Sequence, residues 1–418
     1  NTTGANNVAV GALALDANTT ASANTAVGRA SLSANTTGAS NTAVGYNALV
    51  SNTTASNNTA VGTDALSVNT TGTFNTAVGS LALDAQTTAD ANTAVGYAAG
   101  SSATTGGNLS VLGYAALQVN TTGTNNTAMG ALAMQQNTTA SNNTAVGNEA
   151  LRYNTTGTSN TAVGAFALDA NTTANNNVAV GVSSLTNNTT GASNVAIGDN
   201  TLASQTTGSS NVAIGLSAAF SVTTGIQNIA IGHLAFDAAT TANYNTVIGF
   251  DAGAVITNGE LNSIYGYGAG TAITTGDNNH CFGASSQPSS GTVNNEIVLG
   301  NSNNTTLRCN TQTISSLSDA RDKTNIIDLP EGLEFITKLK PVKFEWASRD
   351  GNVKDGSYEH GFIAQDLQAV QKENDADYLN MVLDENPNRL EASYGKLVPI
   401  LVKAIQELSV KVTALEAG

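Results

Sequence analysis

The sequence predicts a mainly β chain: a parallel β-solenoid or β-roll built from 17-residue repeats and packed as a homotrimer, followed by a small α/β domain ending in a coiled-coil helix. Three observations predict it. A phrase close to N-T-A-V-G ends on Gly11, Gly28, Gly45 and onward to Gly300, eighteen glycines at a constant step of 17 residues. A fixed period of this size marks stacked structural repeats. Charge is nearly absent before Ser318 and ordinary after it: residues 1–317 carry 3 Lys+Arg and 12 Asp+Glu, residues 318–418 carry 12 and 18. Near the C-terminus, apolar residues recur at alternating steps of four and three, the seam of a coiled coil. These changes divide the chain into repeats over 1–300, a linker over 301–317, and a C-terminal domain over 318–418 with its long helix at 397–416.

The repeat unit reads N-T-A-V-G-x-x-A-L-x-x-N-T-T-G/A-x-x. Alternation and β-branching make N-T-A-V a short strand. Val27 and its equivalents share a face with Thr25 and stay large and apolar (Leu112, Met129, Ile197, Ile231, Phe282), whereas Ala26 and its equivalents stay small until Val247 and Ile264. The large face is expected to fill the core. The alanine face, too apolar for water, is expected to pack closely against neighbouring chains. The glycine fits a sharp corner or a left-handed conformation. The x-A-L segment (Ala48-Leu49, Ala65-Leu66, Ala167-Leu168) is expected to form a second apolar strand, and T-T-G/A a polar turn. Seventeen steps of about 4.8 Å give a rod of roughly 80 Å with ladders of equivalent Asn and Thr. A helical repeat is excluded by the density of Gly, Asn and Thr. These N-[VT]-A-[VI]-G-x-x-A units resemble the head repeats of trimeric autotransporter adhesins, whose unit is shorter, and the shaft repeats of phage fibres.

The net charge of −15 argues against nucleic acid, which selects a basic stripe. No apolar run reaches the ~20 residues of a membrane span, so no membrane insertion is expected. Cys281 and Cys309 are too few for a disulfide framework and read as two buried or free thiols. The N-T-T triplets match the glycosylation sequon but recur as turn and ladder residues. Asp16, Asp84, Asp169 and Asp237 recur after Leu or Phe; Asp16 and Asp84 lie four coils apart, about 19 Å, too far for a glycosidase pair at about 5–10 Å. The twin threonines raise ice binding, but they fall in a turn segment. His280 replaces a strand threonine: three copies on an axis could hold a metal, and a hydrogen-bonded interior histidine is the expectation. Neither a metal site nor a cofactor is expected. The aromatics Tyr265, Tyr267 and Phe282 fit either sugar platforms or a plug for the end of the solenoid.

After Ser318, Pro330-Glu331-Gly332 starts a short helix, LEFITKL, that Pro341 stops; VKFEW reads as a strand, and HGFIAQDLQAV (360–370) as a strand edge running into a helix. The final helix begins near Leu397, since Pro399 is tolerated only in a first turn. Its seam is Tyr394, Val398, Leu401, Ile405, Leu408, Val412 and Leu415. Val/Ile alternating with Leu there favours two strands by itself; the repeats and the resemblance below imply three. A helix hairpin or a core helix is the competing reading.

Four ordered blocks in this region, Ser318-Asp319-x-Arg321-x-Lys323-x-Asn325-Ile326, Leu339-Lys340-Pro341-Val342-Lys343-Phe344-x-Trp346, Gly361-Phe362-Ile363-Ala364-Gln365 and Tyr394-x-x-Leu397, resemble the intramolecular chaperone domain that follows phage endosialidases and many tail fibres. The resemblance spans about residues 315–415. It implies a trimeric chaperone that folds the fibre ahead of it and releases itself by cleavage between Leu317 and Ser318. A serine becomes a nucleophile when a base takes its proton, and a lysine can be that base when burial favours its neutral form. Ser318 and Lys323 are therefore the catalytic candidates, Asp319 and Arg321 are expected to hold the geometry, and Gln365 to contact the site. The sequence thus reads as a viral tail fibre or spike on the virion, acting once as a serine peptidase on its own chain and binding a host cell-surface glycan or protein near residues 250–317. Two alternatives are a bacterial surface adhesin with the same chaperone and a polysaccharide-degrading tailspike. The chain begins within a repeat; a membrane-anchoring barrel or a virion-attachment domain ahead of Asn1 would separate adhesin from fibre.

Overall fold

The computed structural model describes residues 2–304, 306–308, 318–345, 358–384 and 390–418; the cleavage-site residue Leu317, Trp346 and Cys309 lie outside them. The chain divides into two compact units, Asn1–Leu299 and Gly300–Gly418.

The first unit is a parallel β-solenoid. Its eighteen strands, β1 (Val8–Val10) to β18 (Ile297–Leu299), have three residues each and recur every 17 positions. Each pairs in parallel with the next, equivalent residue beside equivalent residue: Thr25 faces Thr42, Ala26 faces Ala43, Val27 faces Val44. The turns stack the same way, as when Gly28 N–H donates to the Val10 carbonyl and Leu32 N–H to that of Ala48. Backbone groups that a short coil cannot satisfy internally are satisfied by its neighbours.

Two expectations about the coil are corrected. The alanine face is the inner one: Ala26, Ala43 and Ala60 are fully buried, while the flanking Thr and Val are only half-buried. The alanine–leucine segment is a turn, in which Leu32, Leu49 and Leu66 adopt φ near +50°. The cause is size. A 17-residue coil encloses room for a strand alanine and one leucine from the opposite turn, so the leucine takes a left-handed backbone to point inward. That conformation costs an L-residue about 1–2 kcal/mol, and full burial of a leucine returns about 1.5–3 kcal/mol. In two late coils the strand alanine is larger and the turn leucine is glycine, Val247 with Gly253 and Ile264 with Gly270; an added Cβ on Gly270 would lie 2.7 Å from Ile264 Cδ1.

Two columns of buried asparagine stitch the coils. In one, Asn24 Oδ1 accepts from Asn41 N–H at 2.9 Å, and Asn41 Nδ2 donates to the Ala55 carbonyl at 2.9 Å. In the other, Asn35 Nδ2 donates to Asn18 Oδ1 and to the Gly38 carbonyl. The second column is interrupted at Gln86, whose Oε1 accepts from Asn92 instead, and Asn69 Oδ1 is left buried without a partner. The expected threonine ladder also forms. From Thr36 onward the first of each twin donates its hydroxyl to the next coil, as Thr36 does to the Thr53 carbonyl at 3.1 Å, so this hydroxyl column is turned to the backbone rather than to an ice lattice. His280 lies on the outward face of β17 (His280–Phe282), not in the interior; Cys281 beside it is the buried residue. Burial pushes the free Cys281 thiol up to about 11.

The second unit places α1 (Leu333–Lys338), β19 (Val342–Glu345), β20 (Tyr358–Gly361), α2 (Ala364–Glu373), β21 (Val382–Leu383), β22 (Glu391–Ala392) and α3 (Leu397–Glu416) in order. Its core gathers Phe335, Leu367, Ala376, Leu379, Met381, Val382, Leu397 and Ile400. The two sheets are antiparallel pairs, β19 with β20 and β21 with β22.

Candidate functional site

The second unit opens on a tight turn that the sequence encodes locally. Asp319 caps a single 3-10 turn, Ala320–Asp322, by accepting the Arg321 N–H at 2.9 Å. The Arg321 guanidinium folds back on the same carboxylate, Nη2 to Oδ2 at 2.5 Å and Nε to Oδ1 at 3.0 Å. This pairing holds the Asp319 carboxyl below its ordinary range and lifts the already high Arg321. The turn reverses the chain within five residues and sets Lys323 Nζ 2.6 Å from Ser318 Oγ and 3.5 Å from the Ser318 carbonyl. A base within hydrogen-bond reach of a hydroxyl is the first geometric requirement of a Ser-Lys pair. Both side chains are exposed in the single chain. Gln365 is exposed at the start of α2, and no hydrogen bond joins it to Ser318 or Lys323 among the described residues.

Three of the four sequence blocks meet in space. Val342 pairs with Gly361 where β19 meets β20. Tyr394 then packs its ring edge on Phe362, at 5.7 Å between centroids, and its hydroxyl accepts the Phe362 N–H at 3.2 Å. Gly361 leaves room for this contact, since a Cβ would lie 2.5 Å from the Tyr394 hydroxyl and displace it. Tyr394 thus sits in a 3-10 turn ahead of α3, engaged with its own chain.

The other six seam residues lie on α3, which has two distinct faces. Leu397, Ile400 and Ala404 are buried. Val398, Leu401, Ile405, Leu408, Val412 and Leu415 are each between 43% and 82% exposed. The helix is fixed by a contact the sequence did not announce: Glu407 Oε2 accepts the Leu333 N–H at 2.8 Å and so caps the start of α1. Gly332 leaves room for this carboxylate, which an added Cβ would meet at 2.4 Å. α3 therefore packs on α1 with one face, and its heptad face is left exposed among the described residues.

The aspartates of the repeats have companions that sequence spacing had not revealed. Burial, reinforced by Glu149, raises Asp169 to about 6; burial also raises Asp84 and Asp237, with Asp64 and Asp251 adding to it. One oxygen of Asp84 and one of Asp169 is buried without a hydrogen bond. Among the described residues no three His, Cys, Asp or Glu side chains converge as a metal site, and no helix is long and apolar enough to cross a membrane.

Residues 318–375 match the family described as chaperone of endosialidase. The match begins on Ser318 and ends just beyond α2, short of Tyr394 and α3. No curated protein and no solved structure matched the chain. The chain is a β-solenoid of 17-residue coils followed by a segment, residues 318–375, that is similar to the endosialidase chaperone family.

Proposed function

We propose that the chain is a virion tail fibre or spike for host-surface attachment, whose C-terminal domain trimerises through α3, folds the solenoid and then cuts itself free. The observation that carries this reading is the 2.6 Å contact between Ser318 and Lys323 at the residue where the chaperone family match begins. In the proposed step, neutral Lys323 takes the Ser318 hydroxyl proton. Oγ attacks the carbonyl carbon of Leu317, and the Leu317–Ser318 amide breaks as an ester to Oγ forms, its nitrogen taking up a proton. Water then hydrolyses the ester and releases Ser318 with a free amine. Intramolecular attack needs no separate binding step. The lysine must first lose its own proton, and burial against a neighbouring chain is the physical route to that. Asp319 and Arg321 act as positioning residues by closing the turn. In this reading receptor contact falls near residues 250–317, the C-terminal end of the piece that cleavage leaves.

The test is denaturing electrophoresis of the wild-type chain beside Ser318→Ala and Lys323→Met. Wild type is expected as pieces of 317 and 101 residues from the chain of 418, and both variants as one uncut band. An uncut wild type removes the peptidase claim; cleavage that persists in Ser318→Ala removes the assignment of the nucleophile.

A further inference from the structure

The residues just past the glycine corners form a column along the solenoid, and aromatic rings occur in it in short runs. Tyr97 stacks on Tyr114 with centroids 5.6 Å apart and planes 13° apart. His233 leans on Phe250 at 5.2 Å, and Phe250 stacks on Tyr267 at 5.3 Å and 9°. Parallel rings one coil apart turn their faces along the solenoid axis, so each ring covers a face of its neighbour. A run ends where the next coil has alanine: Ala131 follows Tyr114 and Ala284 follows Tyr267. The end ring is the more open one, with Tyr267 63% exposed against 45% for Phe250. Stacking between coils accounts for the rings inside a run, but not for the bare face at its end. At Tyr267 the ground beside that face is also clear. Asp251, Gly268 and Ser285 fill the adjoining position on three successive coils. Gly268 has φ +56°, and apart from its chain neighbours an added Cβ would meet only Ser285 Oγ, at 3.8 Å. Asp251 and Ser285 stand on either side of this open floor, two rungs or roughly 9.6 Å apart. The Tyr114 end lacks the floor, because Ala115 stands where Gly268 does.

We infer that the Tyr267 end of this run is a subsite for a neutral hexopyranose of a surface glycan, seated at the level of Ala284 where the next ring of the column would stand. A pyranose offers a face of C–H bonds and a rim of hydroxyls. The electron-rich face of a phenol ring attracts the first, and a few placed polar groups orient the second. Asp251, when ionised, accepts hydrogen bonds from two sugar hydroxyls, and the Ser285 hydroxyl donates or accepts one. Charge selects among sugars. Asp251 and Asp237 already repel each other, so a carboxylated or sulfated sugar is disfavoured beside them. Size argues against a second copy of the chain as occupant. One open ring face offers on the order of 100 Å², far below the ~800 Å² per partner of specific assemblies. The column is also broken by Ala131, Asn148 and Asp199, which leaves a parallel partner nothing continuous to follow. The inference rests on the reading of the chain as an attachment protein and supplies the chemistry of its receptor.

The test is saturation-transfer NMR on the full chain carrying Ser318→Ala, which keeps the two units joined. The probes are methyl β-D-galactopyranoside, methyl β-D-glucopyranoside and the acidic methyl β-D-glucuronide. At least one neutral probe is expected to bind, with saturation strongest on its ring C–H protons, and the glucuronide is expected to bind more weakly than either. Tyr267→Ala is expected to weaken binding at least 10-fold, Asp251→Asn about 5-fold, and Tyr267→Phe less than 3-fold. Ala284→Phe extends the stack into the subsite and is expected to abolish binding while circular dichroism stays that of the parent, which answers the case in which Tyr267→Ala disturbs its coil. Binding that survives both Tyr267→Ala and Ala284→Phe overturns the inference, as does a preference for the glucuronide. A parent chain that binds neither neutral probe overturns it too and leaves the attachment reading standing, since a protein receptor satisfies that reading. Loss of oligomer mass in Tyr267→Ala with unchanged saccharide binding assigns the ring to chain packing and also overturns it.

Discussion

Asp169→Asn is expected to stabilise the solenoid at neutral pH. The carboxyl has one buried oxygen without a hydrogen bond, and burial with nearby Glu149 raises it from the ordinary 3.8 to about 6, against the opposing pull of Arg152. The unfolded chain ionises near 3.8, the folded one only near 6. Between these values the folded state holds a proton that the unfolded state has lost, so rising pH favours unfolding. The penalty is absent below about 3.8 and complete above about 6. At 1.36 kcal/mol per pH unit the gap corresponds to at most about 3 kcal/mol; the side chain is half-exposed, and solvent screening reduces this to about 1–1.5 kcal/mol. Repeats unfold locally, so the assay is native-state hydrogen exchange in the coils around residues 147–181, corrected for intrinsic rates. The Asp169→Asn substitution is expected to slow exchange about 5- to 12-fold at pH 7.5 and to leave it unchanged at pH 3.5. Faster exchange at pH 7.5, or the same gain at both pH values, would refute the argument that ionisation is the burden.

Two further outcomes follow from the stacking. Gln86→Asn restores the rung that would pair with Asn69 and should stabilise its coils by about 1 kcal/mol, read as slower exchange at residues 66–92; no change would show that Asn69 Oδ1 finds another partner. Gly130→Ala places a Cβ 2.2 Å from the Gly147 carbonyl oxygen at φ +139°; it should cost about 3 kcal/mol or more, backbone strain plus a displaced rung, and lower the thermal midpoint, whereas Ala131→Gly beside it should cost about 1 kcal/mol or less.

Much of this architecture was legible because it is periodic. The constant step of 17 set the strand register, and the three residues before each corner glycine, Thr-Ala-Val or a variant of it, marked each strand. The helix from Leu397, the LEFITK helix and the Val342 strand also fall where turn chemistry and proline put them. The inner face was misread because residue size was taken as a guide to burial. In a coil this narrow the strand contributes alanine, and the leucine arrives from a turn through a left-handed backbone that leucine rarely adopts. The Ser318–Lys323 proximity was legible from a five-residue spacing, since a capped turn closes locally. Contacts between distant residues were not: Glu407 on Leu333, Tyr394 on Phe362, and Glu149 beside Asp169 depend on packing that no local pattern encodes.

A parallel solenoid exposes a sheet edge until the next coil stacks on it, which makes its part-folded states aggregation-prone. The claim that the C-terminal domain folds this solenoid is tested most directly by refolding. The uncut Ser318→Ala chain and the 317-residue piece released from wild type are denatured in guanidinium, diluted, and compared by circular dichroism and native mass. The account predicts that the uncut chain regains an ordered oligomer and the piece aggregates. Equal recovery of the two would contradict it.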